Sequence, residues 1–146
     1  MSKQKVSYVK MRENAIEPKY HTDGAAGFDF YAAIDKPINI KPGEWAEVPF
    51  GIAMEIPVGY ELRVRSRSGL AFKHSVIAYH GLIDSDYRGE LSVLLHNTGS
   101  EEYVVLPGDR VAQGVLSRYE TAIFEEVSEL SDTERGTSGF GSTGRN

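Results

Sequence analysis

The stretch G-L-I-D-S-D-Y-R-G-E-L, Gly81 to Leu91, sets two carboxylates two residues apart with a tyrosine beside the second. In extended chain Asp84 and Asp86 would project to one side and Tyr87 to the other. Such a pair can work with a hard cation or take a proton from water. Gly81 and Gly89 bracket the segment and let the backbone turn sharply or approach a ligand closely. Standing alone, it reads equally well as a charged hairpin in solvent, because Asp, Ser and Gly are ordinary loop residues.

A second segment, R-V-R-S-R-S-G-L-A from Arg63 to Ala71, carries arginines at alternate positions into Ser68 and Gly69, where a short helical pattern begins. A helix start presents unpaired backbone N–H groups, and Ser with Gly there makes a compact anion cradle that Arg67 could reinforce with a bidentate grip on phosphate. In isolation the plainer reading is favoured: a Ser68 cap and arginines on a wet strand face. In P-G-D-R-V-A-Q, Pro107 to Gln113, Arg110 and Gln113 could each reach a polar ligand from a strand edge. Arg110 is better explained there by an internal ion pair with a carboxylate such as Asp29.

The tail R-G-T-S-G-F-G-S-T-G-R, Arg135 to Arg145, offers backbone N–H groups and hydroxyls to phosphate oxygens, and its lone Phe140 suits stacking on a planar base, worth ~1–3 kcal/mol. A frayed end is the alternative. Other chemistries find little support. No G-x-x-x-x-G-K-[ST] loop and no G-x-S-x-G elbow occur, and the histidines lack the spacing of a helical zinc site. Together the segments describe local anion cradles, a carboxylate pair and an aromatic lid, which is the inventory of a nucleoside polyphosphate site.

The chain that must position these groups has 146 residues, enough for one domain burying roughly two-thirds of its unfolded surface. A formal charge of -5 with scattered cations predicts no broad nucleic-acid-binding face. Zero cysteines exclude disulfides and thiolate chemistry. The apolar runs are too short to span a membrane, and the first residues lack a signal-peptide core, so no membrane partner and a cytoplasmic location are expected.

Period-two patterns begin at Val6, Gly27, Trp45, Tyr60, Leu91 and Tyr103, separated by turn signals at Lys41, Pro57, Asn97 and Leu106. They predict an all-β sandwich, jelly roll or barrel. Only Ser68 to His74 reads as helix. The aperiodic stretch from about Ser131 is expected outside the core, giving a domain over 1–130 and an arm over 131–146.

Five segments in order, A-G-F-D-F-Y-A-A from Ala26, S-R-S-G-L-A from Ser66, G-L-I-D-S-D-Y-R-G-E from Gly81, P-G-D-R-V-A-Q from Pro107 and R-G-T-S-G-F-G-S-T-G from Arg135, make the chain resemble the homotrimeric dUTP pyrophosphatases (dUTPases) over nearly its whole length. The resemblance implies a jelly-roll-like β-barrel with one short helix and a flexible Gly-rich C-terminal arm, assembled as a homotrimer with sites between subunits. It implies Mg²⁺-assisted cleavage of dUTP to dUMP and pyrophosphate, which keeps uracil out of DNA and supplies the thymidylate precursor.

By the same resemblance Asp84 activates the attacking water, Tyr87 packs under the deoxyribose, and backbone from Gly81 to Ile83 reads the uracil edge. Arg67, Ser68, Gly69 and Gln113 match phosphate ligands. Asp29 matches an acidic residue that supports the metal's water shell or pairs with an arginine, with no direct protein ligand to Mg²⁺ expected. Arg135, Ser142 and Thr143 match γ-phosphate contacts, and Phe140 with Gly141 the cover over the base. Ser66, Gly114 and Ser138 depart from the usual pattern, standing where Pro, a larger apolar residue and Gly are common. The dCTP deaminases share the fold and some segments, but the tail favours a pyrophosphatase.

Overall fold

The computed structural model describes residues 2–141 and 144. These form strands β1 (Ser7–Lys10), β2 (Phe28–Tyr31), β3 (Ile38–Ile40), β4 (Trp45–Pro49), β5 (Ile52–Glu55) and β6 (Tyr60–Arg65), helix α1 (Ser68–His74), and strands β7 (Val76–Ala78), β8 (Gly81–Ile83), β9 (Ser92–Asn97), β10 (Tyr103–Val105) and β11 (Arg110–Arg118). No helix among them is long and apolar enough to cross a membrane. The all-β expectation with one short helix holds, and α1 has the predicted bounds. Ser68, however, is not the cap: it is the first helical residue, Arg67 occupies the N-cap position, and no side chain caps the end.

Every strand pairing is antiparallel, in four sheets with orders β1-β5, β10-β3, β4-β9-β7 and β2-β11-β6-β8. These short sheets surround one core, and backbone hydrogen bonds such as Ala33 N to Pro49 O and Leu91 N to Ile52 O, both 2.8 Å, bridge from one sheet to the next. Type II geometry explains several of the breaks. Gly43 and Gly108 follow prolines at φ +81° and +82°, and the turns close through Glu44 N to Lys41 O at 3.0 Å and Asp109 N to Leu106 O at 3.1 Å.

Alternation decides which face each strand buries. In β6, Leu62 and Val64 point inward while Arg63 and Arg65 face solvent. β11 departs from strict alternation: its register shifts between Arg110 and Ala112, so Val111 and Ala112 are both buried before Gln113 faces outward. The Phe30 and Phe50 rings stack at 4.2 Å within the core. Gly114 is explained by the same packing. A Cβ there would lie 2.7 Å from Phe28 Cε2 and 2.8 Å from Phe30 Cε2, so the two rings fill the volume that a larger residue would need.

Asn97 is the one fully buried polar side chain among the described residues. Its amide donates to Ile40 O at 2.9 Å and Glu101 O at 2.7 Å, and its oxygen accepts from Gly99 N at 2.9 Å. It therefore ties β9 to β3 and shapes the turn after β9, with no polar atom of its side chain left unmatched.

Candidate active site

Two clusters carry the groups singled out above. The first lies on the outer face of the four-stranded sheet, where Asp29 of β2 is level with Gln113 of β11. Asp29 Oδ1 lies 3.3 Å from Arg67 Nε, and Oδ2 lies 3.6 Å from Arg110 Nη1. The carboxylate is 14% exposed, so these partners meet it largely out of water. Arg67 Nη1 also donates to Arg110 O at 3.2 Å, and the Gln113 amide donates to Ser66 O at 2.8 Å. Ser66 in turn accepts from Ala78 N through its hydroxyl at 2.8 Å, so the residue standing where Pro is common anchors the loop to β7 instead. Ser68 and Gly69 follow directly in the first turn of α1.

Of the two roles open to Asp29, the geometry supplies the arginine pairing. Sequence reasoning gave His21 no role at this site, but its Nε2 lies 3.0 Å from Asp29 Oδ2 and 3.2 Å from the Tyr31 hydroxyl. Only the isolated bridge between Lys19 and Asp29 brings it there, a non-local contact with no sequence signal. A Cβ at Gly27 would come within 2.6 Å of Gln113 Oε1, so a side chain there would displace the Gln113 amide.

The second cluster is the turn after β8. Asp84 to Tyr87 does not run extended, as the alternation argument assumed: Tyr87 N donates to Asp84 O at 3.2 Å and closes a turn, so the two carboxylates are not set by strand alternation. The turn is held from outside. Arg88 Nη1 donates to Ser85 O at 2.7 Å and Tyr87 O at 3.1 Å, while its Nη2 meets Glu55 at 3.1 Å.

Tyr87 lies across Gly89, where a Cβ would sit 2.6 Å from its Cζ, and its hydroxyl donates to Glu90 O at 3.3 Å. Arg12 grips Glu90 through Nε at 2.6 Å and Nη2 at 3.3 Å, and this hydrogen bond holds the Arg12 proton more tightly than usual. Leu82, Ile83, Asp84, Tyr87, Glu90 and Leu91 line an open cleft of about 270 Å³.

β8 is the edge strand of its sheet, so Gly81, Leu82 and Ile83 bond to β6 on one side only. The other side offers in-plane N–H and C=O groups to a planar partner.

The clusters do not meet within one chain. Ile83, the last residue of β8, is level with Leu62, whereas Gln113 is level with Arg65. That is a separation of about 10 Å along the strands, with β6 standing between and Asp84 beyond the end of β8. The tail lies apart from both: Arg135 donates to Ser138 O at 2.8 Å, Ser138 N returns a bond to Arg135 O at 3.2 Å, and Phe140 is fully exposed at φ +49° beside Gly141 at φ +86°. Ser142 and Thr143 lie outside the described residues. Among the described residues no three His, Asp or Glu side chains form a metal cage.

Residues 13–144 match the family model described as dUTPase. The chain is 49% identical over 145 residues to the deoxyuridine 5'-triphosphate nucleotidohydrolase of Orientia tsutsugamushi strain Boryong, covering 97% of this chain and 98% of that one. It is 48% identical to the protein of the same name from Treponema denticola, covering 94% and 96%. Among solved structures it superposes on a Staphylococcus bacteriophage 80alpha dUTPase with dUPNHPP at a TM-score of 0.90, with 26% identity and coverage of 98% and 100%.

Proposed function

Because the chain belongs to the dUTPase family, we propose that it is a dUTP diphosphatase, a hydrolase releasing dUMP and pyrophosphate from dUTP, with each site built from more than one copy of the chain. The observation that carries the shared site is the separation of Asp84 from the Arg67 and Gln113 cluster, too wide for both to act on one α-phosphorus. A second copy brings its turn after β8 to the first copy's phosphate cluster, in a homotrimer of the kind that the family resemblance implies.

In that arrangement the nucleoside rests on β8 and the turn after it. The free edge of β8 from Gly81 to Ile83 pairs with the uracil edge as another strand or base would, and Tyr87 packs beneath the deoxyribose, braced by Gly89. Arg67, the Ser68 hydroxyl, the Gly69 N–H and Gln113 hold the phosphates. Asp84 orients a water in line behind the α-phosphorus and takes its proton as the oxygen attacks. The Gly-rich arm, residues 131–146, brings Arg135, Ser142 and Thr143 to the γ-phosphate and lays Phe140 with Gly141 over the base.

Mg²⁺ fits a site whose protein side is cationic and whose Asp29 is engaged by arginines, provided the ion is held chiefly by the triphosphate oxygens and water. Bound there, it would neutralise phosphate charge and ease departure of pyrophosphate. Asp29 contributes from outside, by fixing the Arg67 and Arg110 guanidinium groups in place and, through water, bordering the metal's hydration shell.

Pyrophosphate release measured against dUTP and the four common deoxynucleoside triphosphates, with and without Mg²⁺, tests the reading. dUTP alone should react, yielding dUMP in equal amount, and the rate should collapse without the cation. Ammonia from dCTP, or no pyrophosphate from dUTP, would overturn it. Tyr87→Ala should lower the preference for dUTP over UTP by about tenfold or more, because a packed contact that rejects one added group supplies discrimination of that order. An unchanged ratio of kcat/KM values would remove Tyr87 from sugar selection.

A further inference from the structure

The alternating arginines of β6 are not equivalent. Arg63 is paired with Glu61, and Arg67 is shared between Asp29 and the Arg110 carbonyl. Arg65 is exposed and has no ion pair or side-chain hydrogen bond among the described residues, although it projects from the same outer face. Its position is specific. Arg65 is level with Gln113, and Gln113 is level with Asp29, so Asp29, Gln113 and Arg65 form one cross-strand row over β2, β11 and β6. Directly opposed residues in such a row have backbones about 5 Å apart, a gap that an arginine stem spans easily.

The charges around that row are unbalanced. Arg65, Arg67 and Arg110 stand at the end of the sheet where Asp29 is the shared carboxylate, while Arg63 lies further along β6 with Glu61, in a chain whose overall charge is -5. Like charges on one strand face repel, and the repulsion is relieved when an anion joins them. Arg67 divides its donors between Asp29 and a carbonyl, so it is not wholly free to meet a phosphate. Arg65 has all of its donors available and a fork suited to two phosphate oxygens.

We propose that Arg65 is a further phosphate-binding residue, gripping the end of the triphosphate that leaves as pyrophosphate. The inference rests on the dUTP reading for the identity of the substrate, and on the row alone for the presence of a polyphosphate site.

Titration calorimetry of the full chain with inorganic tripolyphosphate tests it without requiring turnover. Arg65→Ala should weaken binding about tenfold, as loss of a charge-assisted contact does. Arg65→Lys should recover part of the loss, because a point charge remains while the fork does not. dUMP affinity and the melting temperature should stay at the parent values, which separates a phosphate contact from a structural one. Equal tripolyphosphate affinity in parent and Arg65→Ala, or no binding by the parent, overturns the proposal. So does a loss in Arg65→Ala that tracks a lowered melting temperature and is absent from Arg65→Gln. dUTP turnover by the parent, measured alongside, reports on the dUTP reading separately.

Discussion

Asp84→Asn should bind dUTP with nearly parental affinity and turn it over about 10³-fold more slowly, the range expected when a positioned general base is lost. The substitution is a clean probe because the turn does not depend on the side chain it changes. Asp84 contributes its backbone carbonyl to Tyr87 N, and Arg88 ties the following carbonyls to Glu55. Asparagine has the same shape and cannot take the proton that a water must lose. Carboxylates as a class are weak bases at neutral pH, so alignment and charge stabilisation by the phosphate-binding groups supply most of the acceleration and survive in the variant. Calorimetry with a non-hydrolysable dUTP analogue and single-turnover kinetics separate the two effects. Near-normal turnover would exclude Asp84 as the base, and lost binding would make it a substrate ligand instead.

The legibility of this site in the sequence was uneven, for physical reasons. α1 and the turns at Lys41 and Leu106 were readable because their signals are local: a capping-region Ser-Gly, and Pro followed by Gly at a left-handed position. The ion pair of Arg110 with Asp29 was also anticipated, from charge alone. Strands β3, β5, β7, β8 and β11 were not singled out: the first four are too short to display much alternation, and the nine-residue β11 breaks it where Val111 and Ala112 are both buried.

The turn after β8 misled in the opposite sense. Period two was assumed through Asp84 and Asp86, while the Asp-Ser-Asp composition favoured the turn that the chain adopts. His21 could not be found at all, since its place beside Asp29 follows from β2 lying against the preceding loop. Nor could periodicity reveal that Asp84 and Gln113 stand at different levels of one sheet. That fact depends on the registers of β6 with both β8 and β11, and it turns a set of motifs into an argument for a shared site.

Removal of residues 135–146 should leave the melting temperature of the chain unchanged while lowering kcat/KM for dUTP by about 10²–10³-fold. The first half follows from packing. β11 ends at Arg118, no strand or helix is found among the described residues beyond it, and Ile123, Phe124, Leu130 and Phe140 are almost wholly exposed. Arg135 satisfies itself within its own turn through Ser138, so its loss strips no partner from the core.

The second half follows from what the segment offers a bound nucleotide. An aromatic ring over a base contributes ~1–3 kcal/mol, and a guanidinium on phosphate adds a comparable charge-assisted contact. Phe140→Ala should cost the stacking share alone, about tenfold, and Arg135→Ala the phosphate share, so the two single variants apportion the truncation. A truncated chain with parental kcat/KM would reduce the tail to a loose end. A truncated chain that melts early would instead make the tail part of the assembly's packing, and light scattering on the same sample would show whether the oligomer had come apart.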